Sequence, residues 1–137
     1  MSLELETREK FKFYEVKPEK KKKIINKLKK ILEERREILL AVIYGSFLQN
    51  YPFRDIDIAL YVNQEEDLLN YKFTLEKELS EKIGYPVDVR ILNNAPAWFT
   101  LEVFENGEIL IDTLGNAEKI YKKALNEITK LEKHKFE

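Results

Sequence analysis

Asp55 and Asp57 stand two apart in the run Asp55-Ile56-Asp57-Ile58, and Asp88 sits between Val87 and Val89. Residues i and i+2 of an extended strand point to one face, about 6.5–7 Å apart. Two carboxylates held in this way can bracket a hard cation such as Mg²⁺. Upstream, Gly45-Ser46 closes the apolar run Ile38 to Tyr44. A glycine there permits close backbone approach or an unusual dihedral. Ser46 offers a hydroxyl and a backbone N–H to a phosphate, and a short helix starting at Phe47-Leu48 would aim its N-terminus at the same anion. A phosphate cradle beside three acids is the equipment for in-line transfer at a nucleotide phosphorus with two metal ions about 3.5–4 Å apart. Converging carboxylates repel one another strongly unless cations are bound. Each piece has a plainer reading: Gly-Ser as a turn, Asp-x-Asp as an exposed strand edge or cap, Asp88 as a surface residue beside Arg90. The functional reading rests on their coincidence in this order.

These residues need elements to hold them. Ile38 to Tyr44 is continuously apolar and rich in β-branched residues, as in a strand buried on both faces. From Asp55 to Val62 the pattern alternates: Ile56, Ile58, Leu60 and Val62 point one way, and Asp57, Ala59 and Tyr61 the other. Glu65 to Ile83 reads as a helix, with Leu68, Leu69, Phe73, Leu75, Leu79 and Ile83 on a broad apolar face and Gly84 as C-cap. Val87, Val89 and Ile91 alternate with Asp88 and Arg90 in a third strand. Strand, helix, strand from Asp55 to Leu92 predicts parallel neighbours with a right-handed crossover. The short link from Tyr44 to Asp55 predicts an antiparallel pair. If the second and third strands are parallel neighbours, Asp57 and Asp88 lie near the same strand ends.

The remaining elements complete an α/β (α+β) domain, a mixed β-sheet with helices packed on it. Pro18 opens a helix whose Ile24, Ile25, Leu28, Ile31 and Leu32 share a face. Pro96 suits the first turn of a short helix, with Asn94 near its cap. Asn106-Gly107 signals a turn before a short strand, Glu108 to Asp112, and a helix runs from Ala117. Residues 1–17 are ambiguous between strand and helix. No repeat, linker or break divides the chain, so residues 1–137 read as a single domain.

Composition narrows the function classes. The 137 residues are 44% hydrophobic, enough for a core, and 36% charged, against about 25% in an average protein. Net charge is only −1, so nothing global marks a polyanion binder, and no direct nucleic-acid binding is expected. The Lys20 to Lys23 run reads as a solvated helix face. Without cysteine, disulfides and thiolate sites are excluded. The balance of Lys, Glu and Ile with no Cys suits a heat-adapted protein. The N-terminal MSLELETREKFKF lacks the apolar core of a signal peptide, and no run is long enough to span a membrane. The expectation is a soluble, cytoplasmic protein.

Tyr44-Gly45-Ser46, Arg54-Asp55-Ile56-Asp57-Ile58 and Val87-Asp88-Val89 together resemble the polymerase β-like nucleotidyltransferase superfamily, most closely its minimal nucleotidyltransferases (MNT). The likeness spans residues 38–112, including Leu92-Asn93-Asn94-Ala95-Pro96 and Phe104-Glu105-Asn106-Gly107-Glu108. Two departures stand out. The spacer between Ser46 and Asp55 is short, residues 47–54, and Arg54 occupies a place where a small hydroxyl residue often precedes the first acid. Both bear on how base or acceptor is held, not on the acids. The resemblance implies the polymerase β-like fold and a catalytic, metal-binding role for all three acids. By that resemblance Asp55 and Asp57 would bind both Mg²⁺ ions, Asp88 would bind the catalytic one and help activate the acceptor hydroxyl, and Gly45 and Ser46 would contact the triphosphate of ATP. Many MNT proteins neighbour a HEPN-type protein, often an RNase toxin. The resemblance therefore implies an antitoxin that transfers AMP to a hydroxyl, a tyrosine, of a HEPN partner in a hetero-oligomer. The alternatives are a non-catalytic antitoxin that acts by binding, and adenylylation of a small molecule, for which this short chain has little spare length.

Other residues carry weaker signals. His134 is the only histidine and lies in a charged tail, so it reads as a bystander. Trp98, Phe99, Leu101 and Phe104 read as core, with a partner interface as the alternative for some of them. Tyr51, Pro52 and Phe53 lie in the loop before Asp55 and either touch a base or partner or pack locally. Arg54 and Arg90 flank the acids and either meet phosphates or pair with the acids.

Overall fold

The computed structural model describes residues 12–135. Five secondary-structure elements lead to the third acid. Helix α1 (Pro18–Glu33) starts with proline at the position that needs no N–H donor and buries Ile24, Leu28 and Leu32. Strand β1 (Ile38–Tyr44) follows, then a single 3₁₀ turn (Ser46–Leu48), β2 (Ile56–Val62), α2 (Leu68–Ile83) and β3 (Val87–Ile91). Helix α3 (Ala97–Asn106), β4 (Glu108–Asp112) and α4 (Asn116–Lys135) are the last of the described elements. Residues 1–11, most of the N-terminal stretch left ambiguous by the sequence, lie outside the described residues, as do the contacts of His134. Within the described part, Tyr14 forms an isolated antiparallel bridge with Phe53.

The sheet runs β3-β2-β1-β4 and is mixed. β1 pairs antiparallel with both β2 and β4, while β2 and β3 are parallel. This is the arrangement expected from the short β1–β2 link and the helical crossover. The alternation in β2 divides the two faces. Ile56, Ile58, Leu60 and Val62 join the core built with α1 and α2, including Leu28, Leu32, Leu75 and Leu79. Ala59 lies in the second core with Leu40, Val42, Val103 and Ala117, on the side of α3 and α4, and Tyr61 packs against it.

Three local expectations change. Helix α2 begins at Leu68 rather than Glu65, because Asp67 before it has a left-handed backbone, φ 55°. Leu75 and Leu79 are buried, but Leu69 and Phe73 are 66% and 55% exposed. Turning about 100° per residue, they fall beside the stripe that reaches the sheet, and hydrophobic type alone does not reveal this. For α3 the cap position is Pro96, whose carbonyl accepts from Phe99 and Thr100 N–H; Asn94 lies outside the helix.

Candidate active site

The Gly45 end of β1 sets the geometry. Gly45 leaves the strand at φ 84°, a conformation that a side chain resists. A Cβ there would stand 2.3 Å from Asp57 Oδ2, so only glycine leaves room for the carboxylate. Ser46 then opens the 3₁₀ turn. Phe47 drives this turn into the core, fully buried and edge-on to Phe53 with ring centroids 4.9 Å apart. Lys21 on α1 holds the turn from below: its Nζ donates to the carbonyls of Phe47 at 2.8 Å and Gln49 at 2.7 Å. The solvated reading of the Lys run therefore fails at Lys21, whose role depends on a contact 26 residues away that no local pattern encodes. Lys20 likewise donates to Tyr85 Oη, at 2.9 Å.

The acids gather on the sheet face away from α1. Asp57 stands opposite Tyr44 on β1 and beside Asp88 on β3 in the parallel register. Asp55 precedes it by two residues, next to the start of β2. Their electrostatics record this proximity. Burial, then the charges of Asp88 and Asp55, push the Asp57 carboxyl up to about 7, with Arg90 opposing. Burial and Asp88 also raise Asp55, against Arg54. Burial raises the Tyr44 hydroxyl, reinforced by Asp57 and Asp88. Arg90 Nε donates to Asp88 Oδ2 at 3.1 Å, which raises the arginine's own pKa. Of its two sequence readings, pairing with an acid is the one observed.

Among the described residues no three acidic or histidine side chains form a ready-made metal cluster. Arg90 holds Asp88, with Nε at 3.1 Å from Oδ2. The donor set nevertheless suits Mg²⁺: hard carboxylate oxygens on one face, with Asp57 raised by burial and then by neighbouring negative charge that a cation would neutralise. A cavity of about 650 Å³ lies elsewhere. It is lined by Tyr14, Lys17, Lys21, Phe47, Asn50 and Phe53 among others, and by none of the acids.

The aromatic segment of α3 divides. Trp98 is 62% exposed, contrary to a core role. It meets Phe99 edge-on, and Phe99 meets Tyr44, each at 5.9 Å, so a chain of rings leads from the surface to the strand end beside Asp57. In the β1–β2 loop Phe53 packs locally and is fully buried, whereas Tyr51 is exposed. Sequence reading missed Glu76. This residue of α2 bonds to the Val89 N–H of β3 and lies within reach of Asp88. Its spacing to the other acids carries no signal, because the contact is made across the crossover.

Comparison with known proteins bears on the whole arrangement. A provisionally named protein adenylyltransferase of Methanocaldococcus jannaschii is 38% identical over 72 residues, 51% of this chain and 72% of that protein. The fold is shared with a chain of the tri-AMPylated HEPN toxin–MNT antitoxin complex of Shewanella oneidensis. The TM-score is 0.68 at 23% identity, covering 83% of this chain and 91% of that one. A toxin–antitoxin crystal structure with AMP-PNP gives a TM-score of 0.69 at 25% identity, covering 80% and 90%. Residues 26–114, which run from α1 through the Gly-Ser turn and all three acids to the end of β4, match the family described as Polymerase beta, Nucleotidyltransferase, and the chain belongs to that family.

Proposed function

We propose that this nucleotidyltransferase moves AMP from ATP to a hydroxyl, a tyrosine, of a HEPN-type partner protein, and so acts as that partner's antitoxin. The observation that carries the reading is the joint placement of Gly45 against Asp57, and of Asp57 beside Asp88 in the β2–β3 register. The relatives support the acceptor class, since one is named for adenylyl transfer to protein and another pairs an MNT antitoxin with an AMPylated HEPN toxin. The whole chain serves as one nucleotidyltransferase domain.

In this reading Gly45 and Ser46 hold the triphosphate where β1 ends. Asp55, Asp57 and Asp88 are the carboxylates that would hold Mg²⁺. When bound, these ions supply charge neutralisation at the phosphates and at the developing anion. The acceptor hydroxyl oxygen bonds to the α-phosphorus as the bond to the β-phosphate oxygen breaks. Pyrophosphate leaves, and the hydroxyl proton passes to the Asp88 carboxylate. Arg90, whose Nε donates to Asp88 Oδ2, orients that carboxylate.

The test is intact-mass measurement of the HEPN protein co-expressed with this chain, wild type against Asp55→Ala plus Asp57→Ala. The expected result is a mass gain of one or more AMP units that disappears in the double variant. A partner that is inhibited yet unmodified would overturn catalysis in favour of neutralisation by binding.

A further inference from the structure

β3 is an edge strand, and Asp88 sits on it. In a parallel pair alternate N–H groups point toward the neighbouring strand and the rest point outward. The Leu92 N–H reaches Leu60 O of β2 at 2.7 Å, so the N–H groups of Val87 and Val89 face the open edge. Neither is left to solvent. Ser80 Oγ accepts from Val87 N–H, and Glu76 Oε2 accepts from Val89 N–H, both at 2.9 Å. Ser80 and Glu76 are one turn apart on α2, and the two N–H groups they take flank Asp88 on either side. Glu76 is itself fixed by Lys72, whose Nζ donates to the same Oε2 at 2.8 Å. Burial works against its ionisation, but the bonds from Lys72 and Val89 prevail and hold it below the usual carboxylate range.

Hydrogen bonds between strands lock the inner strands of a sheet from both sides, whereas an edge strand is locked from one. A displacement of β3 along or away from β2 would carry Asp88 out of register with Asp57. Helix α2 supplies the missing side, and does so at the residues adjoining the acid. We propose that Glu76, with Ser80 as its companion, is a positioning residue for Asp88: it clamps the outer edge of β3 so that the acid faces Asp57. This rests on the reading of Asp88 as a site carboxylate. It assigns Glu76 no contact with nucleotide, and its action requires an acceptor oxygen at this point rather than a negative charge.

That distinction fixes the experiment. Glu76→Ala removes the acceptor, while Glu76→Gln keeps an amide oxygen for Val89 N–H and removes the charge. The expected result is a fall in kcat for AMP transfer of roughly 10–100-fold in Glu76→Ala, with KM for ATP little changed, and recovery of most of the rate in Glu76→Gln. Amide hydrogen exchange at Val89, measured without nucleotide or metal, should quicken in Glu76→Ala and return toward wild type in Glu76→Gln. Ser80→Ala gives a second, milder variant, quickening exchange at Val87. Equal loss of rate in both Glu76 variants would overturn the proposal, because the charge would then be what matters. An unaltered Val89 exchange rate in Glu76→Ala would overturn it independently of any assay. Activity in Asp57→Asn equal to wild type would instead sink the reading of the site, and the exchange measurement would still decide the clamp.

Discussion

Asp57 is the residue at which structure and chemistry conflict most in the metal-free chain. Its carboxyl titrates near 7 in the folded protein against 3.8 as an ordinary aspartate. A folded-state value above the unfolded one means that ionisation opposes folding. Below about pH 4 both states hold the proton and there is no penalty. As pH rises the unfolded chain loses its proton first, the penalty grows, and it is complete above about pH 7. We predict that Asp57→Asn abolishes transfer yet stabilises the metal-free protein at pH 8. The gain is about 1–2 kcal/mol once solvent screening of this partly exposed group is allowed for. The gain should vanish near pH 4. Thermal melts at the two pH values in EDTA check this, and an Asn variant less stable at pH 8 would refute it. The position of Asp57 was legible in the sequence because Ile56, Ile58, Leu60 and Val62 alternate with it and all four are buried on the α1–α2 side, which sends Asp57 to the other face. That Gly45 must be glycine to admit Asp57 was not, since it depends on β1 and β2 meeting where β1 ends.

At the scale of elements, the strands and the β1–β2 and β2–β3 pairings followed from periodicity and link length, whereas the place of β4 beside β1 did not. The supports behind them did not. Lys21, Ser80 and Glu76 all act from helices on backbone groups of another element, and a helix surface of Lys, Glu and Ser has no periodic signature for such a task. Exposure of Leu69, Phe73 and Trp98 was hidden for a related reason: apolar type says what a side chain favours, not which way its helix faces. Lys21 offers a test at this scale. It ties α1 to two carbonyls of the turn after Ser46 while its ammonium lies over the rings of Phe47 and Phe53. Lys21→Met keeps the apolar stem and removes the donors. We predict a loss of about 1–2 kcal/mol in stability together with weaker ATP binding, since the Gly45-Ser46 turn loses its anchor. Denaturant unfolding and calorimetry on the same variant measure both. A drop in stability with unchanged ATP affinity would show that the turn does not depend on this anchor.

For the whole molecule, the charge balance decides how a triphosphate is received. With a net charge of −1 the chain has no overall field that gathers anions. The candidate site is worse than neutral, because Asp55, Asp57 and Asp88 share one face: burial and then the charge of Asp88 raise both Asp55 and Asp57, and Asp55 adds to the rise at Asp57. ATP and these carboxylates repel unless cations lie between them. We therefore predict weak ATP binding in EDTA and much tighter binding with Mg²⁺ or Mn²⁺. The pH dependence follows from the same group. Cation binding requires ionised Asp57, and its proton is lost near pH 7 in the free protein, so affinity for the metal–nucleotide complex should fall as pH drops from 8 to 6. Binding should also release protons, making the calorimetric heat depend on the buffer's ionisation enthalpy at pH 7. In Asp57→Asn both the buffer dependence and most of the metal enhancement should disappear. Equal ATP affinity with and without metal, or an affinity flat between pH 6 and 8, would show that the three acids do not receive the cations that this site requires.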